Sequence, residues 1–68
     1  MIQIYNEAMK SARLQANLTQ KEVAEALKVS QPAIARWERG EGSEPSISRL
    51  IELADIYNTT VDKLIGRT

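Results

Sequence analysis

Residues 18–40, LTQKEVAEALKVSQPAIARWERG, are the stretch from which the fold of this chain can be worked out. The letters TQKE have the spacing of a capping box, which predicts that a helix begins just after Thr19. A second helix is predicted after Ser30, because serine is a good N-cap and Pro32 is tolerated in a first turn. That helix should end at Gly40. The connection between the two is so short that they should cross steeply, as in a helix-turn-helix.

The crossing needs a small residue where the two helices touch, and Ala24 fits that position. The inward side should then be apolar, and the sequence supplies Val23, Leu27, Val29, Ile34 and Trp37 at suitable positions. Ile34 and Trp37 stand three residues apart, so they share one helical face and are predicted to be core residues. The joint pattern predicts one hydrophobic wedge between the two helices.

Helical periodicity continues on both sides of this stretch, and no useful segment alternates with period two. The first helix is predicted over about residues 3–16, with Tyr5, Met9, Ala12 and Ala16 inward, Leu14 off that face and Asn17 at the end. A fourth helix, capped by Ser46 and ended by Asn58, is predicted to turn Ile47, Leu50, Ile51 and Ala54 inward. A short fifth helix is predicted to be capped by Thr59 or Thr60, to hold Val61, Leu64 and Ile65, and to end at Gly66. We therefore predict an all-α, compact five-helix domain over residues 1–68, with its helix-turn-helix at about 19–39.

The composition excludes several classes of protein. The 68 residues include no cysteine and no histidine, which removes disulfides, Cys/His zinc sites, thiol nucleophiles and histidine acid–base chemistry. The other polar residues do not cluster, so we predict no enzyme, no cofactor, no metal and no small-molecule substrate. No apolar run approaches the ~20 residues of a membrane span, and the N-terminus is not a signal peptide. We expect a soluble, intracellular protein.

Charge is balanced overall but unevenly distributed. Nine Lys+Arg face nine Asp+Glu, giving a net charge of zero. Residues 1–40 carry six basic and four acidic side chains, or +2, whereas residues 41–68 carry three basic and five acidic, or −2. The basic half can therefore face an anion while the acidic half faces away.

The segment LTQKEVAEALKVSQPAIARWERG resembles the Xre family of helix-turn-helix proteins, which includes lambdoid phage repressors and Cro proteins. The likeness extends through PSISRLIELADIYN and VDKLIG, so it covers nearly the whole chain. The resemblance implies a sequence-specific domain that binds double-stranded DNA, generally as a homodimer on a palindromic operator. It therefore predicts a transcription regulator, specifically a repressor, that is cytoplasmic, of bacterial or phage origin, and associated with the nucleoid through DNA.

By this resemblance the recognition helix runs from about Ser30 to Arg39. Base readout is predicted for Gln31, Pro32, Ala35 and Arg36, and phosphate contact for Gln20, Lys21, Ser30 and Arg39. Glutamine can pair with adenine and arginine with guanine, whereas proline and alanine offer only apolar contact to a thymine methyl. Arg13 and Glu38 match residues that form an ion pair between the first and third helices of some relatives, and this pair is predicted to be structural.

The sequence departs from the family pattern in the turn and in the loop after the recognition helix. Lys28 stands where relatives often have glycine, so it either adopts the left-handed conformation at a cost of about 1 kcal/mol or extends the second helix by one residue. The loop GEGSEPS, residues 40–46, looks one residue longer than usual and carries Glu41 and Glu44 where phosphate would approach. We expect about 3–4 phosphate contacts per subunit and a shallow salt dependence.

The sequence is compatible with more than one role for several residues. Arg39 and Lys21 can be phosphate contacts or ordinary surface charges. The apolar residues between Tyr57 and Ile65 either complete the core or meet a second copy across a two-fold axis. The chain is expected to be a stand-alone regulator with no further domain after Thr68. The alternative is a protein-interaction module, such as an antitoxin or anti-repressor, that uses the same fold to mask a partner.

Overall fold

The computed structural model describes residues 4–42 and 44–66, and it contains five α-helices in this part of the chain. They are α1 (Ile4–Gln15), α2 (Gln20–Leu27), α3 (Gln31–Arg39), α4 (Ile47–Tyr57) and α5 (Val61–Leu64). All regular elements of the described ranges are helical, which confirms the predicted all-α fold. No helix there is long and apolar enough to cross a membrane.

Each helix from α2 to α5 begins at a hydroxyl side chain. The Thr19 hydroxyl accepts from the Glu22 N–H at 3.0 Å, and the Glu22 carboxylate accepts from the Thr19 N–H at 2.8 Å, so the predicted capping box is present. The caps of the later helices are Ser30, Ser46 and Thr60. These bonds satisfy first-turn N–H groups that a helix leaves without partners, and therefore fix where each helix starts.

The core is one cluster to which all five helices contribute, and α2 and α3 are in contact with each other. Its buried members are Met9, Val23, Ala24, Leu27, Ile34, Leu53, Ala54, Tyr57 and Leu64. Trp37 and Val29 are partly buried and pack against this cluster. The predicted inward positions of Val23, Leu27, Val29, Ile34 and Trp37 are therefore confirmed. The predicted inward position of Tyr5 lies outside the described side chains.

Ala24 is buried on α2, at 4% exposed, and we expect its small side chain to allow the close approach of α2 and α3. We expect Ala24→Leu to destabilise the fold by about 1–3 kcal/mol, because the extra atoms overpack a filled contact. The exposed Ala26 on the same helix provides the control, and Ala26→Leu should change stability little. Urea unfolding followed by circular dichroism measures both variants. A fully stable Ala24→Leu protein would mean that the helices do not meet at this residue.

The prediction for the inner face of α4 was partly wrong. Ile47 is 75% exposed and Ile51 is 51% exposed, whereas Leu53 and Tyr57 are buried. The apolar positions of α4 fit two helical phases three residues apart, and both phases include Ala54. The chain adopts the phase that turns the large side chains of Leu53 and Tyr57 towards the core, and this leaves the two isoleucines outside.

The last segment of the chain mainly completes the core. Tyr57 is 6% exposed and Leu64 is fully buried, while Ile56 and Val61 are partly buried and pack against the core. Among the described residues, the large apolar side chains that are exposed lie elsewhere, at Leu14, Ile47 and Ile51. The segment from 57 to 65 therefore offers few spare apolar groups for a second copy.

Lys28 ends α2 in the left-handed conformation, with φ 60° and ψ 42°, so it does not extend the helix. The next N–H, that of Val29, donates to the Ala24 carbonyl at 3.0 Å, which completes a helix-ending turn. A side chain in this conformation is strained, and glycine is not.

We expect Lys28→Gly to stabilise the protein by about 0.5–1 kcal/mol, since the relief of strain exceeds the entropy that glycine loses on folding. Lys28→Ala removes the same charge but keeps a Cβ, so it should give no such gain. Thermal unfolding of the two variants compares them directly. Equal midpoints would assign any change to the lysine charge and not to the backbone.

Candidate nucleic-acid interface

One side of α3 faces outward and carries most of the predicted site. We call this surface the α3 edge, and its residues are Gln31, Pro32, Ala35, Arg36 and Arg39. Ala35 is partly buried and the other four are exposed. The opposite side of the helix is anchored, since Ile34 is 1% exposed and Glu38 is 8% exposed. The buried face of α3 thus keeps the hydrogen-bond donors and apolar side chains of the α3 edge facing outward.

Both ends of α3 are fixed by local hydrogen bonds. At the start, the Ser30 hydroxyl accepts from the Ala33 N–H at 3.3 Å, and Pro32 lies in the first turn. At the end, Gly40 has φ 73°, and the Glu41 N–H donates to the Arg36 carbonyl at 3.0 Å. Glycine is favoured there because a Cβ would be strained in the left-handed region. The α3 edge is therefore a preorganised surface.

The Arg13–Glu38 ion pair joins α1 to α3 inside the molecule. Arg13 Nε donates to Glu38 Oε2 at 2.7 Å, and Arg13 Nη2 donates to Oε1 at 3.1 Å. The third nitrogen, Nη1, donates to the Leu18 carbonyl at 2.9 Å, just before α2. The hydrogen bond to Glu38 raises the pKa of the Arg13 guanidinium above its ordinary value. Burial raises the pKa of the nearby Tyr57 to about 12, and the negative charge of Glu38 adds to this shift.

Gln20, predicted to hold a phosphate, makes an internal contact in this structure. Its Nε2 donates to Glu38 Oε1 at 3.1 Å. A carboxylate only accepts, so this bond fixes which end of the Gln20 amide points inward. The side chain of Lys21 is exposed beside it. The backbone N–H groups of both residues lie in the first turn of α2, where a helix has no internal acceptors and attracts anions.

Two side chains that support the site were not predicted. Asn6 Nδ2 donates to the Glu38 carbonyl at 3.1 Å, and the Asn6 Oδ1 is buried without a partner among the described residues. The signal was present, because Asn6 lies on the same face of α1 as Met9 and Arg13. Arg49 Nη1 donates to the Leu27 carbonyl at 3.1 Å and so secures the end of α2 from α4. Nothing in the local sequence pattern indicates that second contact.

The loop after α3 brings an acid to the end of the α3 edge. Arg39 Nε lies 3.2 Å from Glu41 Oε1, and both side chains are more than half exposed, at 55% and 62%. Ser30, also predicted to contact phosphate, is exposed and uses its hydroxyl oxygen to cap α3. No group of three or more acidic side chains within 4–42 and 44–66 is placed to hold a metal ion.

A family model described as helix-turn-helix matches residues 9–64. The match covers most of the chain, and the chain therefore belongs to this helix-turn-helix family, of the Xre/Cro/C1 type.

Individual relatives are regulators from several bacteria. The chain is 38% identical over 62 residues to the HTH-type transcriptional activator BcrR of Enterococcus faecalis, covering 91% of this chain and 30% of the relative. It is 36% identical over 59 residues to the HTH-type transcriptional regulator ImmR of Bacillus subtilis, covering 87% and 46%. It is 31% identical over 61 residues to the cryptic phage CTXphi transcriptional repressor RstR of Vibrio cholerae, covering 90% and 54%.

The chain thus spans between about a third and a half of the length of these relatives. They are named as regulators of transcription and not as enzymes, which agrees with the prediction that this chain is not an enzyme.

Proposed function

We propose that the chain is a sequence-specific DNA-binding domain of a transcription regulator, and that it inserts the α3 edge into the major groove of double-stranded DNA. The observation that carries the proposal is the orientation of α3. Its polar and basic side chains face outward while Ile34 and Glu38 anchor the opposite side. A helix presented in this way by a helix-turn-helix is the element that enters the groove in proteins of this class.

The α3 edge has the chemistry to distinguish base pairs. Gln31 can make two hydrogen bonds to adenine and Arg36 two to guanine. Pro32 and Ala35 offer apolar surface that suits a thymine methyl. Because the N-terminal part of a recognition helix enters the major groove in proteins of this class, Gln31 and Pro32 would make direct contact with bases.

Phosphate contacts would come from the start of α2. The first-turn N–H groups of α2 lie at the positive end of the helix dipole, where an anion binds. Gln20 and the exposed Lys21 belong to this same turn. One of the two N–H groups of Gln20 Nε2 donates to Glu38, so the second is the donor that a phosphate would use. With a net charge of zero, we propose about 3–4 phosphate contacts per subunit, hence a slope of log K against log salt of about −2.7 to −3.6 per subunit.

We further propose that the protein acts as a homodimer on a palindromic operator and represses transcription from it in the cytoplasm. One recognition helix reads only a few base pairs, and two related by a two-fold axis double the length of sequence read. The name of the relative RstR supports repression, whereas that of BcrR supports activation.

Selection from a random pool of DNA duplexes tests the proposal. Over several rounds the protein should enrich a palindrome, and the double variant Gln31→Ala with Arg36→Ala should enrich none. Both altered side chains are exposed, so the variant should still fold. A single half-site without symmetry would contradict the dimer alone. No enrichment by the unaltered protein would contradict DNA recognition and favour the protein-interaction module.

A further inference from the structure

Arg39 lies on the α3 edge together with the residues proposed to read bases. It stands eight residues after Gln31, and the two line one shallow depression with Pro32 and Ala35. In helical terms Arg39 falls on the same face as Ala35, one turn further along. The position of Arg39 therefore suits contact with a base as well as contact with a phosphate.

The backbone turn that ends α3 positions Glu41 beside Arg39. The Glu41 N–H donates to the Arg36 carbonyl at 3.0 Å, and the left-handed Gly40 turns the chain so that this bond can form. The resulting distance between Arg39 Nε and Glu41 Oε1 is 3.2 Å. The acid thus has a defined backbone position one turn beyond Arg36.

A carboxylate at this position is unfavourable for binding phosphate. Both groups are anions, so Glu41 would repel the phosphate oxygens and compete with them for the guanidinium. The same carboxylate is compatible with a base edge. Guanine offers the neutral acceptors O6 and N7 to arginine, and cytosine offers its N4 amino group to a carboxylate. A carboxylate close to Nε leaves the end of the guanidinium, between its two terminal nitrogens, to face guanine.

We propose, on the basis of the DNA-binding function proposed above, that Arg39 and Glu41 act as one unit that reads a G·C base pair. Arg39 donates to guanine, while Glu41 orients Arg39 and accepts from the paired cytosine. Eight residues at a rise of 1.5 Å span about 12 Å. The G·C pair should therefore lie about three to four base-pair steps from the pair that Gln31 contacts.

The test compares binding sites selected by the unaltered 68-residue chain and by three variants. Arg39→Lys keeps the positive charge and can still hold a phosphate, but it loses the two-pronged contact to guanine. Glu41→Gln removes the orienting carboxylate. Glu44→Gln removes the same charge from an exposed residue of the same loop and is the control. The altered side chains are exposed, so the variants should fold, and circular dichroism checks this.

The expected result is that the unaltered chain and Glu44→Gln select a G·C pair at one position, and that Arg39→Lys and Glu41→Gln lose the preference there alone. Discrimination at that pair should fall by roughly 5- to 150-fold in Arg39→Lys, which corresponds to 1–3 kcal/mol.

Two results would overturn the inference while leaving the DNA-binding function intact. If Arg39→Lys keeps every preference and Glu41→Gln binds all sequences more tightly, Arg39 binds phosphate and Glu41 competes with it. If only Arg39→Lys relaxes the preference, Glu41 does not act as part of a unit. Failure of the unaltered chain to select any sequence would instead contradict the proposed function, and this inference with it.

Discussion

Replacing Glu38 with alanine should destabilise the protein by about 3–5 kcal/mol. The side chains of Arg13 and Glu38 are 9% and 5% exposed, so the variant leaves a buried guanidinium without its charged partner. Arg13 would lose two hydrogen bonds and Gln20 one. A folded domain gains only about 0.05–0.15 kcal/mol per residue, which is about 3–10 kcal/mol for 68 residues. We therefore expect a substantial fraction of Glu38→Ala to be unfolded at room temperature.

Urea unfolding measures this effect, and two controls define its cause. Glu52→Ala removes one partner of the exposed Arg49–Glu52 pair and should cost less than about 1 kcal/mol. The double variant Arg13→Met with Glu38→Leu replaces the buried pair by apolar groups and should recover much of the lost stability, because no unpaired charge remains. A loss below 1 kcal/mol in Glu38→Ala would show that water reaches the guanidinium and that the pair does not anchor α3.

Replacing Arg36 with alanine should weaken binding to the selected operator by about 1–3 kcal/mol and remove the preference for guanine at one position of each half-site. The Arg36 side chain is exposed on the α3 edge and is not part of the buried face that anchors the helix. The loss should be specific, because a bidentate contact to guanine discriminates by about this amount. Fluorescence anisotropy with the operator and its single-base variants measures the affinity and the preference together.

The matched control for Arg36→Ala is Lys10→Ala, which removes one positive charge from an exposed position on α1. If charge alone matters, both variants should weaken binding equally on every sequence and reduce the salt dependence. If Arg36 reads a base, only its variant changes the sequence preference. An unchanged preference in Arg36→Ala would remove this residue from the set that reads bases.

Local sequence signals were sufficient to predict where the helices begin and end. Thr19, Ser30 and Ser46 cap helices because their hydroxyls accept from the N–H three residues on. Asn17 and Asn58, at the predicted stops, have φ of 61° and 56°. These interactions span a few residues, so they can be predicted from the sequence alone. The Arg13–Glu38 pair came instead from the family resemblance, since its partners are 25 residues apart.

The phase of α4 could not be predicted, because it depends on packing between distant segments. Its apolar residues allow two inner faces, and only contact with the rest of the core selects the one containing Leu53. The Gln20–Glu38 bond was not predicted for the same reason, since it joins two different helices. From the sequence, Gln20 was expected to contact phosphate and Glu38 to pair with Arg13. The Arg39–Glu41 contact was missed because it requires the left-handed Gly40 to turn the loop back towards α3.

NMR of the backbone amide groups tests most directly whether the α3 edge enters the DNA groove. The ¹⁵N-labelled chain should be titrated with the duplex obtained by selection. We expect the largest shift changes along α3, from Gln31 to Arg39, and at the start of α2 around Gln20 and Lys21, with small changes near Leu14 and Ile51. Changes confined to the exposed apolar residues of α1 and α4, with α3 unaffected, would contradict entry of the α3 edge into the groove.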